Sequence, residues 1–483
     1  MPSPAVAEPK SLVPLCVDLD GTVIKTDLLW ESLVRLLKHN ALYLFAVPFW
    51  LLRGRAHLKA QIAGRVAFDV SSLPYNHALI EFLSAEQRRE RTILLVTASD
   101  ARLARLVAQH LRIFTDVLGS DGRTNLRGKN KAARLAELFG GRGFDYAGNS
   151  SVDLPVWEQA RHAILVGSNS RLAARARKCA DVSRVFEEPK SFFHVLVQTL
   201  RPHQWVKNLI VFVPLLTSHK LTQLPLFLDA LVAFVAFSVC ASAVYILNDL
   251  LDLEADRHHP NKRLRPFACG ALPLSAGLAM FPLLLVVGGV LTFQLSWSFA
   301  VALGVYLLST TSYSLRIKQV PLLDVFFLAG LYTIRLVAGH EAAGIEYSFW
   351  LLAFAMFIFL SLALVKRFVE VDAVCQQNGS DVKGRGYTAK DFGLIATLGT
   401  ASGYLAVLVM ALYVNSPEVR VLYRHPTMLL VICPLLLYWI SRVWMLAHRG
   451  HMHEDPIVFA LKDRVSYVVA ALTLAVLWLA TGH

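Results

Sequence analysis

From residue 205 onward the chain is built almost wholly of long apolar runs, and no other feature limits its possible folds so sharply. Nine such segments stand near 205–217, 226–247, 274–294, 297–314, 321–339, 347–365, 392–414, 427–447 and 465–481. About 20 apolar residues cross a bilayer as a helix, and lipid forces each segment to satisfy its own backbone polar groups. This half therefore reads as an all-α polytopic membrane domain of nine transmembrane helices. Residues 1 to about 200 have the mixed composition of a water-facing fold. The 483 residues divide accordingly into a leader (1–12, expected to be disordered), an α/β domain (13–170), a basic linker (171–200) and the membrane domain (201–483).

The loops between the apolar runs alternate in charge. Residues 248–273 carry Arg257, Lys262, Arg263 and Arg265, and 315–320 carry Arg316 and Lys318. Residues 366–391 carry Lys366, Arg367, Lys383, Arg385 and Lys390, and 448–464 carry Arg449, Lys462 and Arg464. The loops between these are poor in cations. Basic loops stay on the cytoplasmic side, so the N-terminal domain and every chemically interesting loop are expected there, in an inner or plasma membrane protein. The net charge of +13 is explained by these loops and by phosphate-bearing ligands, without nucleic acid. No secretory signal is visible. Cys16, Cys179, Cys240, Cys269, Cys375 and Cys433 are scattered with no C-x-x-C pair, which argues against a disulfide framework or a zinc site.

Directly after the second apolar run comes Asn248-Asp249-Leu-Leu-Asp252-Leu-Glu-Ala-Asp256, then His259-Pro260-Asn-Lys262-Arg263-Leu-Arg265-Pro266. Asp249, Asp252 and Asp256 are spaced i, i+3, i+7, so a continuous helix would place them on one side. Three stacked carboxylates repel unless a cation sits among them, and hard oxygen ligands favour Mg²⁺. The pattern points to a metal-held diphosphate, with Asn248 as a further ligand and Lys262, Arg263 and Arg265 on its outer oxygens. Charges inside the apolar runs, among them Lys207, Asp324, Arg335, Lys366, Arg367 and Glu370, each cost about 2.5–3.5 kcal/mol at a helix centre and so imply partners or a wet cavity. Lys462 and Asp463 read as a structural pair.

The segment 248–266 resembles the first aspartate-rich motif of the UbiA-type intramembrane prenyltransferases. Arg201-Pro202-His-Gln204-Trp205-Val-Lys207-Asn208, Tyr313-Ser-Leu-Arg316-Ile-Lys318, Val365-Lys366-Arg367-Phe-Val-Glu370, Gly384-Arg385-Gly386-Tyr387 and Glu454-Asp455-Pro456 narrow the likeness to its polyprenyl-phosphate phosphoribosyltransferase branch. The resemblance implies nine helices around a lipid-accessible cavity, Mg²⁺ as cofactor, phosphoribosyl diphosphate as donor and a polyprenyl (decaprenyl) phosphate as acceptor. It makes Asp249 and Asp252 catalytic, with Asn248 and Asp256 completing the metal ligands. Lys207, Asn208, Tyr313, Lys318, Arg335, Lys366, Arg367, Glu370, Arg385 and Tyr387 become candidates for the phosphates. Where aromatic prenyltransferases carry a second acidic motif, this chain has Lys366, Arg367, Glu370 and Asp372, which suits an extra phosphate. An aromatic prenyltransferase with a regulatory N-terminal domain is the alternative, and a transporter a remote one. A homo-oligomer is left open.

In the N-terminal half, Val13-Pro-Leu-Cys-Val17 reads as a buried strand ending in Asp18-Leu-Asp20-Gly21-Thr22. This resembles the first motif of the haloacid-dehalogenase-type phosphatases, a Rossmann-like α/β fold with a helical cap, here about 27–90. The resemblance implies Asp18 as nucleophile and Asp20 as acid–base. Thr97 after Ile93-Leu-Leu-Val96 would bind phosphate, and Lys131 in Gly128-Lys129-Asn-Lys131-Ala132 would be the motif lysine. A second Mg²⁺ would be held by Asp18, Asp20, Asn149 and Asp153. Asn149 stands where the family usually has an aspartate, so a weaker metal site is expected, with Asp153 able to compensate. The apolar run 41–52, followed by Arg53, Arg55, His57 and Lys59, reads as a cap face resting on lipid or as an ordinary hydrophobic cap helix.

Overall fold

The computed structural model describes residues 13–167, 170–186, 192–376, 385–452 and 455–481. The expected leader at 1–12 and the quoted positions Lys383, Gly384 and Glu454 lie outside the described residues. The N-terminal half runs β1 (Leu15–Val17), α1 (Leu28–His39), α2 (Tyr43–Leu52), α3 (Arg55–Ala63), α4 (His77–Arg88), β2 (Ile93–Asp100), α5 (Ala101–Leu111), β3 (Asp116–Ser120), α6 (Lys129–Phe139), β4 (Asp145–Gly148), α7 (Leu154–Trp157), β5 (His162–Val166), α8 (Ser170–Cys179), β6 (Asp181–Phe186) and α9 (Phe192–Leu200). The membrane half continues with α10 (Val213–Thr217), α11 (Leu224–Leu251), α12 (Leu253–His258), α13 (Leu274–Thr292), α14 (Trp297–Leu315), α15 (Leu323–Ala343) and α16 (Phe349–Gln376). It ends with α17 (Phe392–Val414), α18 (Pro417–Leu422), α19 (Ile432–His448), α20 (Pro456–Ala460) and α21 (Arg464–Thr481).

By packing, the chain forms two compact units. One comprises Met1–Thr199 together with Ile246–Met280, and the other Leu200–Tyr245 with Phe281–His483. The aspartate-rich segment thus belongs to the same unit as the α/β fold.

In that unit six parallel strands lie in the order β3-β2-β1-β4-β5-β6. Strand alternation splits the apolar residues between two faces. Leu15, Val17, Ile93 and Leu95 enter one core, while Cys16, Leu94 and Val96 enter the other. With both faces covered, β1 is wholly buried, as parallel strands usually are. β1 lies where the strand order reverses, between β2 and β4. A crevice at that switch point, beyond the strands' carboxyl ends, is where such sheets bind ligands. β6 lies within the segment read as a linker. Its basic character hid it: Arg184 lays its guanidinium over the rings of Phe82 and Phe186, 4.7 and 5.1 Å from their centroids.

Residues 27–90 contain α1 to α4. Asp27 and Asn76 cap α1 and α4 through their side chains. In segment 246–280, Phe267, Ala268, Leu272 and Leu274 are buried, and Arg257 is paired with Glu31 of α1. Gly270, at φ +74°, turns the chain so closely past Lys25 that an added Cβ would lie 2.6 Å from the lysine Cβ.

In the second unit and its connecting helices, eight helices among the described residues are long and apolar enough to cross a membrane. The segment read as the first span differs. Pro202–Phe212 is a 3₁₀ helix, followed by the five-residue α10. Asn208 and Val211 of that segment are buried.

Candidate functional site

The two carboxylates that follow β1 stand over the switch point. Asp18 is 8% exposed, its backbone N–H donates to Ala147 O at 2.9 Å, and its Oδ1 accepts from Lys131 Nζ at 2.8 Å. Lys131 Nζ also meets the Tyr146 hydroxyl at 2.8 Å, and that hydroxyl donates to Asp153 Oδ1 at 3.1 Å. Burial pushes Asp18 up to about 7; Lys131 opposes this, while Asp153 and Asp20 add to it. Asp20 accepts from the Leu28 N–H at 2.8 Å and the Ser99 hydroxyl at 2.6 Å. Burial and then the Asp27 carboxylate push it up to about 6.

Gly21 makes room at this site. It has φ +73°, and a Cβ there would overlap the Asn149 side chain. Asp153 Oδ2 accepts from the N–H groups of Asn149 and Ser150 and from the Ser150 hydroxyl, at 3.2, 3.0 and 3.1 Å. Asp153 thus holds the loop that carries Asn149, with both of its oxygens engaged. Its Oδ1 accepts only the Tyr146 hydroxyl and so keeps acceptor capacity. Thr97 is fully buried and donates to Asp20 Oδ2 at 3.2 Å, so its hydroxyl orients the Asp20 carboxylate.

Sequence reading missed Lys59 and Asp27. Lys59 was read as a cationic flank on lipid, but α3 turns it inward. Its Nζ donates to Ala98 O at 2.6 Å, and it lines the cavity with Asp18, Asp20 and Asp27. Burial lowers its affinity for a proton, while Asp20 and Asp27 raise it. The signal in the sequence was the i, i+3 spacing of Ala56, Lys59 and Ile62, which puts the lysine beside buried positions.

The oxygen-only set of Asp18, Asp20 and the Asn149 amide suits a hard divalent cation. Asp18, Asp20 and Asn149 line one cavity with Lys131 as its partner cation at Asp18, so the residues present fit Mg²⁺. Among the described residues no group of three or more His, Cys, Asp or Glu converges on one point. Phosphate oxygens or backbone carbonyls would therefore complete such a site.

In segment 248–273 the helix breaks at Asp252, which has φ −100° and ψ 12° and divides α11 from α12. The expected continuous acidic face is bent there. Arg265 Nη1 donates to Asp249 Oδ1 at 3.1 Å and Asp256 Oδ2 at 2.6 Å. The positive charge between two of the aspartates is thus the chain's own guanidinium, where sequence reading had put Arg265 on the diphosphate. Asp249 and Asp256 are buried, Asn248 and Asp252 partly so, and Lys262 and Arg263 are exposed on the following turn. The donor chemistry again fits Mg²⁺, with Asn248, Asp249 and Asp252 as holders.

The second unit contains two charge networks. In one, Lys207 Nζ and Lys366 Nζ lie 2.8 and 3.2 Å from Asp455 Oδ2. Burial would raise Asp455, but Lys366 and Lys207 together hold it well below the usual carboxylate range. Nearby, Arg335 donates to Asn208 Oδ1 at 2.7 Å and the Tyr306 hydroxyl at 3.1 Å. Both Arg335 and Asn208 are buried and tied to interior partners. In the other, fully buried Arg367 pairs with Asp324 at 2.5 Å and with Glu370, and donates to the Tyr313 hydroxyl at 2.8 Å. Arg385 meets the same hydroxyl at 2.8 Å, and Tyr387 donates to Asp324 at 2.5 Å. Lys318 is half-buried on the turn Ile317–Gln319. Asp463 is paired with Arg442, at 2.7 and 3.0 Å.

Comparisons with known proteins divide the chain in two by sequence, with segment 246–280 on the side of the membrane helices. Residues 209–462 match the model of the UbiA prenyltransferase family, and residues 15–158 match that of haloacid dehalogenase-like hydrolases. An uncharacterized protein, y4nM, of Sinorhizobium fredii is 37% identical across 95% of this chain and 89% of its own length. Nodulation protein NoeC of Azorhizobium caulinodans is 35% identical across 59% of this chain and 94% of its own. A decaprenyl-phosphate phosphoribosyltransferase of Corynebacterium glutamicum is 36% identical, over 38% of this chain and 57% of its own. A solved UbiA homolog from Archaeoglobus fulgidus bound to GPP and Mg²⁺ superposes with a TM-score of 0.45 at 15% identity, covering 60% of this chain and all of that one. The chain belongs to the UbiA prenyltransferase family and carries a haloacid dehalogenase-like domain ahead of its membrane helices.

Proposed function

We propose that the membrane domain transfers 5-phosphoribose from phosphoribosyl diphosphate to a polyprenyl (decaprenyl) phosphate, and that the hydrolase domain then removes the 5-phosphate from the lipid product. The observation that carries the transfer reading is the Lys207–Asp455–Lys366 cluster. Two ammonium groups share one carboxylate, which leaves a net positive site for a phosphate where an aromatic prenyltransferase would need more acid. The 36% identity to a decaprenyl-phosphate phosphoribosyltransferase supports the same donor and acceptor.

Mg²⁺ bound by Asn248, Asp249 and Asp252 would draw charge from the leaving diphosphate. Arg265, freed from Asp249 and Asp256, would turn to the diphosphate oxygens, where charge accumulates as the anomeric C–O bond breaks. The lipid phosphate is already anionic at neutral pH and attacks without a general base. In the hydrolase, Asp18 attacks phosphorus and Asp20 protonates the departing alcohol. Asp20 then deprotonates the water that releases the aspartyl-phosphate. Lys131 orients Asp18, and Thr97 and Ser99 orient Asp20. Helices α1 to α3 serve as the cap, and Mg²⁺ at Asp18, Asp20 and Asn149 would hold the transferring phosphate.

Nine crossings fit this reading. The 11 residues Pro202–Phe212 at about 2.0 Å each and the five of α10 at about 1.5 Å reach about 30 Å, one hydrocarbon thickness. The N-terminal domain and both sites are then cytoplasmic by loop charge.

The test is mass spectrometry of lipids formed by purified wild type and Asp18→Asn from phosphoribosyl diphosphate and polyprenyl phosphate. Wild type is expected to yield the dephosphorylated ribosyl lipid and Asp18→Asn its 5-phosphate. The same phosphorylated lipid from both would reject the hydrolase step, and prenylation of an aromatic acceptor would reject the donor.

A further inference from the structure

The cavity beside Asp18 is larger than phosphoryl transfer requires. It encloses about 690 Å³, within the roughly 300–1,000 Å³ that buries a ligand of drug size. Its lining is mixed, with Asp18, Asp20, Lys59, Arg127, Lys131 and Asn149 among its polar residues. Three helices supply an apolar arm: Leu29 and Leu33 of α1, Val47 and Leu51 of α2, and Leu58 and Ile62 of α3, with Arg55 beside them. The remaining wall is Pro273, Leu274 and Ser275, at the start of α13. That helix is one of those long and apolar enough to cross a bilayer, so one wall of the cavity is the first turn of a candidate span.

Helix α2 adds a second, independent sign. It contains no buried residue, and Leu44, Phe45, Phe49 and Leu52 are 60, 71, 69 and 84% exposed. A contiguous apolar face of this kind marks contact with a membrane or an apolar ligand. Its ten residues are too few to span a bilayer. Because Val47 and Leu51 of the same helix line the cavity, the exposed face and the apolar arm are continuous.

We infer that the apolar arm binds the isoprenoid chain of a membrane-borne phosphomonoester, with the phosphate at Asp18 and the chain running between α1–α3 and the first turn of α13 toward lipid. This rests on the hydrolase reading above and adds to it a site for the chain. Chemically, the Asp18 carboxylate forms a bond to phosphorus as the P–O ester bond breaks, and the alcohol leaves with a proton from Asp20. Water then attacks the aspartyl-phosphate, returns a proton to Asp20 and releases inorganic phosphate. Nothing but water is consumed. A soluble sugar phosphate satisfies the polar residues alone and leaves the arm unfilled.

The experiment uses the full chain in phospholipid vesicles. Phosphate release from farnesyl-phosphoryl ribose 5-phosphate is compared with release from ribose 5-phosphate. The expected result is a kcat/KM at least 100-fold higher for the lipid-linked substrate, mostly through KM, and Leu33→Asp and Val47→Asp each raise that KM at least tenfold. Equal kcat/KM for the two substrates overturns the inference. A photoreactive isoprenoid phosphate, mapped by mass spectrometry on wild type and Asp18→Asn, reads the chain site without turnover. Adducts within 29–62 or 273–275 support it, and adducts confined to the later membrane helices overturn it. Adducts at 29–62 with no phosphate released from either substrate would retain the chain site and reject the hydrolase reading.

Discussion

Glu31 of α1 and Arg257 of α12 form a two-pronged ion pair, with Nη2–Oε1 at 2.5 Å and Nη1–Oε2 at 3.2 Å, between side chains only 1 and 5% exposed. Arg257 also donates to Ala268 O at 3.0 Å. The residue adjoining Asp256 is therefore anchored by a helix of the hydrolase domain. Removing one partner from a buried pair strands the other charge, at a cost of roughly 3–5 kcal/mol. Glu31→Gln is expected to lower the denaturation midpoint and to cut phosphoribosyl transfer, although Glu31 lies in the hydrolase domain. The double exchange Glu31→Arg with Arg257→Glu should recover part of both. Full transfer activity in Glu31→Gln would disprove the anchoring role.

The bridge of Arg265 between Asp249 and Asp256 leads to opposite effects at its two ends. Asp249→Ala removes a metal holder, and transfer should fall about 10²–10³-fold. Arg265→Ala leaves the aspartates but strips charge from the donor site, so the loss should appear chiefly in the KM for phosphoribosyl diphosphate. Steady-state kinetics at several Mg²⁺ concentrations separate the two. Chelation should abolish transfer in wild type.

Asn149→Asp restores a carboxylate beside Gly21 and Asp18. The added charge is expected to tighten Mg²⁺ at the hydrolase site about tenfold, with a lower Mg²⁺ concentration for half-maximal phosphate release. Asp153→Asn should do the reverse by loosening the loop that carries Asn149. An unchanged Mg²⁺ titration in both variants would remove Asn149 from the site.

Asp145, at the start of β4, accepts from Arg161 at 2.9 and 2.8 Å, is paired with Arg91, and receives the His162 N–H at 3.1 Å. Burial would raise it, but Arg161 and Arg91 together hold it below the ordinary value. A carboxylate lowered by folding adds stability above its unfolded pKa of about 3.9, and that stability fades as pH falls through the folded value. Wild type should therefore lose stability below about pH 4 more steeply than Asp145→Asn in acid titrations followed by circular dichroism.

The elements most legible in sequence were those set by local pattern. The apolar triplet Leu15–Val17 before Asp18 and Asp20 marked β1 and the carboxylates, and eight of the nine apolar runs coincide with helices that, among the described residues, are long and apolar enough to cross a membrane. What escaped depends on tertiary placement. Lys59 reads as a surface cation until α3 packs against β2 and turns it to the cavity. Asp252 sits at a helical spacing, yet the chain breaks there. Arg184 masks β6 because its stem and guanidinium cover aromatic rings. Arg265 reads as a phosphate ligand because sequence distance cannot reveal that it folds back nine residues to Asp256.

The grouping of Ile246–Met280 with the N-terminal fold means that cutting this polypeptide near residue 200 would not liberate two independently folded parts. The released membrane fragment would keep its aspartates but lose the carboxylate that Arg257 leans on. Fusion here is architectural: the stretch that carries the aspartate-rich motif borrows part of its scaffold from the chain ahead of it.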